Sequence, residues 1–193
     1  MTIGLYFGSF NPIHLGHLIV ANSALNYCDI KRVWFVVTPK NPLKDSKVLL
    51  KDSDRLRLAR LAIEDNSNFR ICDIEFKLPK PSYTINTLTH LEELFPENEF
   101  KIIMGSDSYN NLSKWKNYQA ILKRYPIIVY ERKDFNKPPF NENPRCLWLD
   151  IPIIDISSSQ IRLLIKQKKS IRYLVPDKVF EEINNYKYYQ EKY

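Results

Sequence analysis

The sequence has few cysteines and no long apolar segment. Its three cysteines, Cys28, Cys72 and Cys146, lie far apart and lack the spacing of metal ligands. We expect them to be reduced thiols, mostly buried, in a cytoplasmic protein. No apolar run approaches the roughly 18 residues of a membrane span, and no basic segment followed by an apolar one precedes the first predicted strand. The sequence therefore indicates neither export nor a membrane partner.

The chain also lacks the motifs of common nucleic-acid-binding proteins. It contains no zinc-finger spacing, no RNP-like motif and no basic heptad region, and it shows no internal repeat or linker. Its 193 residues are 44% hydrophobic and 26% charged, the balance of one globular domain spanning residues 1–193. The net charge of +7, from 29 basic and 22 acidic residues, favours anionic ligands, and nucleotide phosphates would use it as well as nucleic acid would.

The N-terminal segment, residues 3–18, is predicted to form a strand, a tight turn and the start of a helix. Apolar and aromatic residues fill its first half, as in a strand buried on both faces. Gly8 permits a positive φ or a close backbone approach, and Pro12 lacks the N–H that a strand needs. Apolar residues recur at helical spacing from about Leu15, so the turn leaves backbone N–H groups at a helix N-terminus, where an anion is stabilised.

Two histidines, His14 and His17, lie in this turn three residues apart and therefore on one face of the predicted helix. Taken alone, such residues are usual on a surface or in a core, and the pair could also be part of a metal site that lacks further ligands. Their place at a strand-to-helix junction, where open α/β sheets bind ligands, favours a functional role.

Residues 8–17 resemble the His-x-Gly-His signature of the nucleotidylyltransferase superfamily, in the form found in nicotinate-nucleotide adenylyltransferases. The resemblance implies that His14 and His17 contact the phosphates of ATP and stabilise charge as the α-phosphorus is attacked. It also assigns three residues of the turn to ATP binding: Gly8, Ser9 and Phe10. Asn11 departs from the family pattern because an aspartate is usual there, so any role that depends on that charge is missing.

A second signature lies near the C-terminus, in residues 154–162. Three serines precede an apolar helical pattern, and one serine is enough for an N-cap, which leaves the others to be explained. Hydroxyls and N–H groups at a helix start, followed one turn later by Arg162, would bind a polyphosphate. The segment resembles the Ile-Ser-Ser-Thr-x-Ile-Arg signature of the same superfamily, with Ser159 in place of threonine. The resemblance places Arg162 among the catalytic residues and assigns to ATP binding Ile156, Ser157, Ser158 and Arg162.

Two helix starts in the middle of the chain carry further candidate residues. Ser82 or Thr84 could cap the helix that follows them, and Asp107 could do the same after the fourth predicted strand. The family has ligands at both places: a turn beside the nicotinate ring, whose N–H groups can hold a carboxylate, and a Gly-x-Asp that binds the ribose or, through water, Mg²⁺. The resemblance thereby assigns Tyr83 and Thr84 to the mononucleotide, and Gly105 and Asp107 to ATP.

Further residues complete the mononucleotide site that the resemblance implies: Ser9, Lys44, Trp115 and Arg132. Lys44 belongs to a proline- and lysine-rich segment, residues 39–44, that could also be a solvated loop, and Leu43 replaces the histidine usual in the family. Trp115 lies in a polar stretch where an indole is poorly explained as core but could stack on an aromatic base. Arg132 follows a strand and could pair with either a phosphate or a surface carboxylate.

Strand-like and helical patterns alternate over the whole chain. The strands predicted after the first are residues 32–38, 69–76, 100–104, 125–130 and 146–151, and helices are predicted over residues 52–66, from about 85 to 95, after Ser159 and near the C-terminus. Residues 134–145, rich in proline and asparagine, are expected to form a loop or flap. The alternation predicts an α/β fold: a single domain with a Rossmann-like, doubly wound parallel sheet whose carboxyl edge carries both signatures.

The two signatures imply an adenylyltransferase that transfers AMP from ATP to nicotinate mononucleotide, forming nicotinate adenine dinucleotide and pyrophosphate in NAD biosynthesis. Mg²⁺ is expected to arrive with ATP, and no metal site is predicted among the chain's own side chains. One alternative is another superfamily member, acting on nicotinamide mononucleotide, phosphopantetheine or glycerol phosphate. The other is a non-catalytic module that binds nucleotides or nucleic acid, but it leaves the paired histidines unexplained, and no nucleic-acid partner is expected. The choice between nicotinate and nicotinamide and the formation of a homo-oligomer stay open.

Overall fold

A six-stranded parallel sheet forms the centre of the protein. The computed structural model describes residues 1–39, 49–133 and 145–190. In chain order the strands are β1 (Thr2–Gly8), β2 (Arg32–Val37), β3 (Phe69–Cys72), β4 (Glu99–Gly105), β5 (Ile127–Tyr130) and β6 (Cys146–Leu149). They lie side by side in the order β3-β2-β1-β4-β5-β6, and every neighbouring pair is parallel.

Both faces of the sheet are buried, which explains the continuous apolar runs in its strands. In β2, Val33, Phe35 and Val37 belong to the core on one face, because successive side chains alternate along a strand. Trp34 and Val36 belong to the core on the other face. Parallel sheets depend on such two-sided cover, which their crossover helices provide.

Seven helices in the described part of the chain cover the two faces. They are α1 (Leu15–Tyr27), α2 (Asp52–Ile63), α3 (Thr84–Leu94), α4 (Ser106–Asn110), α5 (Tyr118–Arg124), α6 (Ser158–Lys166) and α7 (Asp177–Asn185). The buried apolar side chains of α1, α2, α6 and α7 belong to one core, and those of α3, α4 and α5 to the other. Among these helices none is long and apolar enough to cross a bilayer.

The strand order creates a crevice between β1 and β4. The chain moves outward from β1 through β2 to β3, and then returns so that β4 pairs with the other side of β1. The segments that follow β1 and β4 lead to helices on opposite faces, so they separate at the carboxyl edge of the sheet. Open α/β sheets bind their ligands in such a crevice, and the fold alone therefore marks this edge for a site.

The predicted doubly wound, Rossmann-like sheet is confirmed, with a correction at the third strand. The sequence predicts that strand over residues 69–76, but β3 ends at Cys72 and a 3-10 turn follows at Ile74–Phe76. The turn buries Ile74 as a strand would. A short apolar pattern does not distinguish a strand from such a turn, and the predicted strand therefore extends beyond the observed end of β3.

Other predicted elements are slightly too long. β5 begins at Ile127 rather than at residue 125, because the Tyr125 N–H still donates to the Ile121 carbonyl of α5 and Pro126 has no N–H to donate. The strand predicted over residues 146–151 ends at residue 149, and the helix predicted to residue 66 ends at residue 63. The loop predictions for residues 40–44 and 134–144 lie outside the described residues.

Candidate active site

One cavity of about 480 Å³ opens at the carboxyl edge of the sheet. It is lined by the ends of β1 and β4, by residues that follow β2 and β5, and by the N-terminal ends of α3 and α6. It brings together most of the site residues predicted from the sequence: Gly8, Ser9, Phe10, His14, His17, Tyr83, Thr84, Gly105, Asp107, Trp115, Arg132, Ser157 and Ser158. The two signatures, which are far apart in the chain, therefore meet at one place.

The remaining predicted site residues do not line this cavity in the described structure. Arg162 directs its guanidinium to the carbonyl of Asn11 in the first signature. Ile156 lines a much smaller recess that shares His14 and His17 with the cavity. Lys44 lies outside the described residues. The ligand contacts expected of Arg162, Ile156 and Lys44 stay predictions.

The first signature turn has its unusual backbone conformation at Phe10 and not at Gly8. Phe10 has a φ of 45°, in the left-handed region, whereas no glycine of the described residues has a positive φ. Gly8 is required for close approach, because a Cβ atom there would lie 2.8 Å from Cζ of the Phe10 ring, which is only 2% exposed. The buried ring also packs against His17, whose ring centroid lies 5.0 Å away.

A backbone hydrogen bond fixes the tautomer of His17. The N–H of His14 donates to Nδ1 of His17 at 3.2 Å, so Nδ1 is an acceptor and the proton of the neutral ring is on Nε2. Nε2 is therefore the donor that a neutral His17 offers to a ligand. The two imidazoles stack with their centroids 3.6 Å apart and their planes inclined by 27°, so both rings reach the cavity together.

His14 is buried and, in the absence of a ligand, neutral at pH 7. Burial, together with the nearby charge of Arg132, lowers its pKa to about 3. Its Nδ1 has no hydrogen-bond partner among the described residues and packs against Gly16, where a Cβ atom would lie 3.0 Å from it. A bound anion would counteract the charge of Arg132, the smaller of the two causes, and would therefore raise this pKa from its low value.

The three serines of the second signature have three different partners. Ser157 caps α6 by accepting a backbone N–H at 3.2 Å. Ser158 donates to the Pro12 carbonyl at 2.8 Å and so ties the second signature to the first. Ser159 accepts a hydrogen bond from Arg162 at 3.1 Å. One serine is used as a cap, and the other two hold the signature loop and the arginine in place.

Asn11, which replaces the aspartate usual in the first signature, is buried and connects the signature loop to the C-terminal segment. Its Oδ1 accepts hydrogen bonds from the Tyr189 hydroxyl at 2.9 Å and from the Leu50 N–H at 3.1 Å. Its carbonyl accepts a hydrogen bond from Arg162 at 2.7 Å. Sequence reasoning missed Tyr189, because the polar and aromatic tail shows no pattern that distinguishes it from its neighbours.

Replacing Tyr189 by phenylalanine is expected to lower the free energy of unfolding by about 1 kcal/mol, because the buried Asn11 amide loses one of its donors. Urea denaturation measures the change. Tyr186→Phe is the control, since the Tyr186 side chain is 59% exposed and the loss of its hydroxyl should cost less than about 0.5 kcal/mol. Equal losses in the two variants would contradict the role given to Tyr189.

A buried glutamate, Glu75, organises the turn before α3. It accepts hydrogen bonds from Ser82 at 3.0 Å and from Thr87 at 2.8 Å, and burial raises its pKa although these hydroxyls oppose the shift. The N-cap of α3 is Tyr83, which makes no side-chain cap, and Thr84 is the first helical residue. The interpretation of Ser82 or Thr84 as the cap is therefore wrong. Sequence reasoning missed Glu75 because it placed this residue in a strand.

The turn before α3 and the Trp115 region form one wall of the cavity. Tyr83 and Thr84 stand at the start of α3, and the first N–H groups of a helix have no acceptor within it. Trp115 is half-buried, and the ammonium of Lys116 lies 4.6 Å from the centroid of the Tyr83 ring. This wall offers N–H donors, an aromatic plane and a cation, which together suit a flat ring with an anionic substituent.

Gly105 lets two charged side chains approach the end of β4. A Cβ atom there would collide with the Asp107 carboxylate and lie 2.7 Å from Cδ of Arg132. Gly105 is also the N-cap of α4, so the interpretation of Asp107 as the cap is wrong. The N–H of Arg132 donates to Ser106 Oγ at 2.9 Å, which joins the ends of β5 and β4. A carboxylate and a guanidinium are thereby held side by side at the cavity.

A pair of buried tyrosines lies next to Arg132. The Tyr6 hydroxyl donates to the Tyr130 hydroxyl at 2.9 Å, and both residues line the cavity. Burial raises the pKa of each tyrosine above its usual range, so both hydroxyls stay protonated at neutral pH. The sequence shows the two only as aromatic residues of strands, and nothing in the local pattern distinguishes them from core.

The carboxylates that line the cavity determine how a metal ion could be bound there. Within the described ranges, histidine, cysteine, aspartate and glutamate side chains form no group of three able to hold an ion. Glu75 and Asp107 line the cavity, and Glu75 is already bonded to two hydroxyls. A divalent cation at this site would therefore depend on phosphate oxygens of a nucleotide, with Asp107 as the carboxylate that fits it, directly or through water.

Comparisons with known sequences cover almost the whole chain. A family model described as Cytidylyltransferase-like matches residues 5–164. A protein of Flavobacterium psychrophilum, named as a probable nicotinate-nucleotide adenylyltransferase, is 50% identical over 99% of this chain and 100% of its own length. A protein of the same name from Flavobacterium johnsoniae is 47% identical over 99% of this chain and 100% of its own length.

Solved structures share the fold. A nicotinic acid mononucleotide adenylyltransferase of Plasmodium falciparum, complexed with NaAD, superposes with a TM-score of 0.82 at 22% identity, and 97% of each chain is covered. The same enzyme complexed with APC gives a TM-score of 0.81, also at 22% identity, over 97% of this chain and 96% of the other. At 22% identity the structural likeness establishes the fold alone. The family relationship rests on the two Flavobacterium proteins, which are much more similar in sequence.

Proposed function

Because this chain belongs to the cytidylyltransferase-like family and, within it, to the nicotinate-nucleotide adenylyltransferases, we propose that it transfers AMP from ATP to nicotinate mononucleotide. The products are nicotinate adenine dinucleotide and pyrophosphate, in a step of NAD biosynthesis. The observation that carries this proposal is the meeting of the two signatures, since His14 and His17 line one cavity with Ser157 and Ser158.

The reaction needs positioning and charge neutralisation more than proton transfer. A phosphate oxygen of the mononucleotide attacks the α-phosphorus of ATP in line, and the bond from that phosphorus to the bridging oxygen breaks, so pyrophosphate leaves with the electron pair. The attacking phosphate is already anionic at pH 7, and no general base is required. Negative charge instead grows on the α-phosphoryl oxygens and on the leaving group, where donors must meet it.

The two signatures supply those donors. The Nε2–H of His17 is the donor that the main chain fixes, and His14 adds a second imidazole whose pKa rises as the anion binds. The first N–H groups of α6, with Ser157 as its N-cap, add donors at the positive end of a helix dipole. Ser158 holds the first signature at this helix end through the Pro12 carbonyl. Gly8 and the backbone of Ser9 and Phe10 complete the polyphosphate side.

We propose that the wall formed by the turn before α3 and the Trp115 region binds the mononucleotide. N–H groups at Tyr83 and Thr84 would bind the carboxylate of the pyridine ring, and the indole of Trp115 would stack on that ring. Arg132, at the cavity near Asp107, suits the phosphate of the mononucleotide, as does Ser9 of the first signature. Asp107 and Gly105 suit the ribose of ATP.

The proposal also covers the metal ion, the cellular location and the oligomeric state of the protein. Mg²⁺ bound to ATP would neutralise phosphate charge, and the Asp107 carboxylate is the group of this cavity that fits it. A cytoplasmic location agrees with the three unpaired cysteines, Cys28, Cys72 and Cys146. A homo-oligomer stays a prediction that sedimentation of the purified protein would test.

Pyrophosphate release with Mg-ATP tests the proposed function directly. The acceptors are nicotinate mononucleotide, nicotinamide mononucleotide and phosphopantetheine, each at the same concentration. We expect the highest kcat/KM with nicotinate mononucleotide, because its carboxylate matches the N–H donors and the cation of the Tyr83 wall. Equal rates with both pyridine nucleotides would require a dual-specificity assignment. Release with phosphopantetheine alone would replace the proposed acceptor by a different one.

A further inference from the structure

We propose that Lys116 supplies the positive charge by which the cavity selects a pyridine carboxylate over the corresponding carboxamide. The proposal rests on the proposed function and names the determinant of its acceptor specificity. Lys116 belongs to neither signature and directly follows Trp115 in the short polar segment before α5.

The geometry places the Lys116 ammonium at the acceptor wall. Its Nζ lies 4.6 Å from the centroid of the Tyr83 ring, within the range of a cation–π contact. Lys116, Tyr83, Thr84 and Trp115 all line the same cavity. The aromatic ring therefore holds the ammonium near the first N–H groups of α3, where the carboxylate of the acceptor is proposed to lie.

Backbone N–H groups alone are a weak basis for selecting the acid over the amide. An N–H group donates to a carboxylate oxygen and also to the carbonyl oxygen of a carboxamide, so both ligands satisfy the same donors. What distinguishes the two ligands is a full negative charge. A cation beside the N–H groups strengthens binding of the carboxylate, and it gives the neutral carboxamide no comparable gain.

Among the cations that line the cavity in the described structure, Lys116 is the one available for this purpose. The Lys114 ammonium donates to Asn111 Oδ1 at 2.8 Å. Arg132 follows β5, where its charge acts on His14 and is balanced by nearby Asp107. Lys116 makes its contact with an aromatic face, and it has no ion pair or hydrogen bond with another described residue.

The buried Glu75 lies at the same wall as the Lys116 ammonium. Glu75 lines the cavity beside the same turn, and a carboxylate there repels an anionic ligand. Hydrogen bonds from Ser82 and Thr87 disperse its charge, and burial favours its protonated form. The Lys116 ammonium, 4.6 Å from the centroid of the Tyr83 ring, opposes the repulsion that remains and so favours binding of an acidic acceptor next to Glu75.

The experiment compares Lys116→Met with Lys116→Arg and with Lys114→Met as the matched control. Equilibrium binding by titration calorimetry gives the Kd of each protein for nicotinate mononucleotide and for nicotinamide mononucleotide, and pyrophosphate release gives kcat and KM. We expect Lys116→Met to weaken binding of the nicotinate compound about tenfold and to change that of the nicotinamide compound less than twofold. The loss should fall on KM, with kcat within twofold of wild type.

The two comparison variants separate charge from structure. Lys116→Arg keeps the charge and the cation–π contact, so we expect it to retain the wild-type preference within about threefold. Lys114→Met should leave the ratio of the two Kd values unchanged. Because Lys116 is exposed, its variants should unfold at the wild-type temperature, and a fall in that temperature would mark a structural effect that overturns the proposal.

Equal weakening of both ligands in Lys116→Met, or an unchanged ratio of their Kd values, would overturn the proposal. The same change of ratio in Lys114→Met would overturn it as well, because the effect would then belong to the general charge of the wall. Failure of the proposed function has a different signature: the wild-type protein would then release no pyrophosphate with either pyridine nucleotide, whatever the Kd values of the variants.

Discussion

Replacing His17 by alanine is expected to lower kcat about a hundredfold or more while the protein stays folded. The variant loses the Nε2 donor that the His14 N–H fixes in position, and one donor of this kind contributes about 3 kcal/mol to lowering the barrier. The His17 ring is only partly buried and packs at the edge of the Phe10 ring, so its removal leaves the two cores intact. Pyrophosphate release with Mg-ATP and nicotinate mononucleotide measures the loss.

His90→Ala is the matched control. The chain has three histidines, and His90 lies on α3 with its ring 3.5 Å from the Glu93 carboxylate, outside the lining of the cavity. Its replacement should leave kcat within about twofold of wild type. A His17→Ala protein that keeps more than half of the wild-type kcat would remove His17 from the proposed mechanism. Thermal unfolding of both variants shows that the comparison is between folded proteins.

The second large effect is expected at a residue of α2 that no signature includes. Replacing Arg55 by methionine should lower the free energy of unfolding by about 3 to 5 kcal/mol. The Arg55 side chain is fully buried and donates to the carbonyls of Ser9 at 2.5 Å and Thr38 at 2.8 Å, with Asp52 as its ionic partner at 2.6 Å. Methionine fills much of the space, but it leaves these carbonyls without a donor and Asp52 without its cation.

Urea denaturation of Arg55→Met and Arg60→Met makes the comparison on one helix. The Arg60 side chain is 61% exposed and its nearest carboxylate, that of Asp73, is 3.6 Å away, so its loss should cost less than about 1 kcal/mol. We also expect Arg55→Met to raise the KM for ATP, because the Ser9 backbone at the cavity loses its support. Similar small losses of stability in both variants would show that the buried guanidinium does not organise the backbone at Ser9 and Thr38.

The fold could be predicted because its local patterns depend on residues that are neighbours in the sequence. β2 is a continuous apolar run since both faces of the sheet are covered, and helical spacing begins at Leu15 where α1 begins. The same reasoning located His14 and His17, because a strand followed by a tight turn and a helix places the turn at the carboxyl edge of the sheet.

The contacts that support the site could not be predicted, because each joins residues that are distant in the sequence. In the sequence Arg55 is one more polar residue of a helix, Glu75 is part of a strand and Tyr189 is part of a tail. Their partners are carbonyls, hydroxyls and an amide that only the tertiary structure brings near. The left-handed backbone of Phe10 has the same origin, since a bulky residue adopts it only where the packing around it requires it.

The hydrogen bond between Asn11 and Tyr189 has a consequence for protein synthesis, because its two residues are 178 positions apart. The ribosome makes the loop after β1 well before it makes the hydroxyl that supports Asn11. A nascent chain cannot form this hydrogen bond until Tyr189 has left the exit tunnel. We therefore expect the buried amide of Asn11 to gain this donor late in synthesis, after the strands and helices around it have been made.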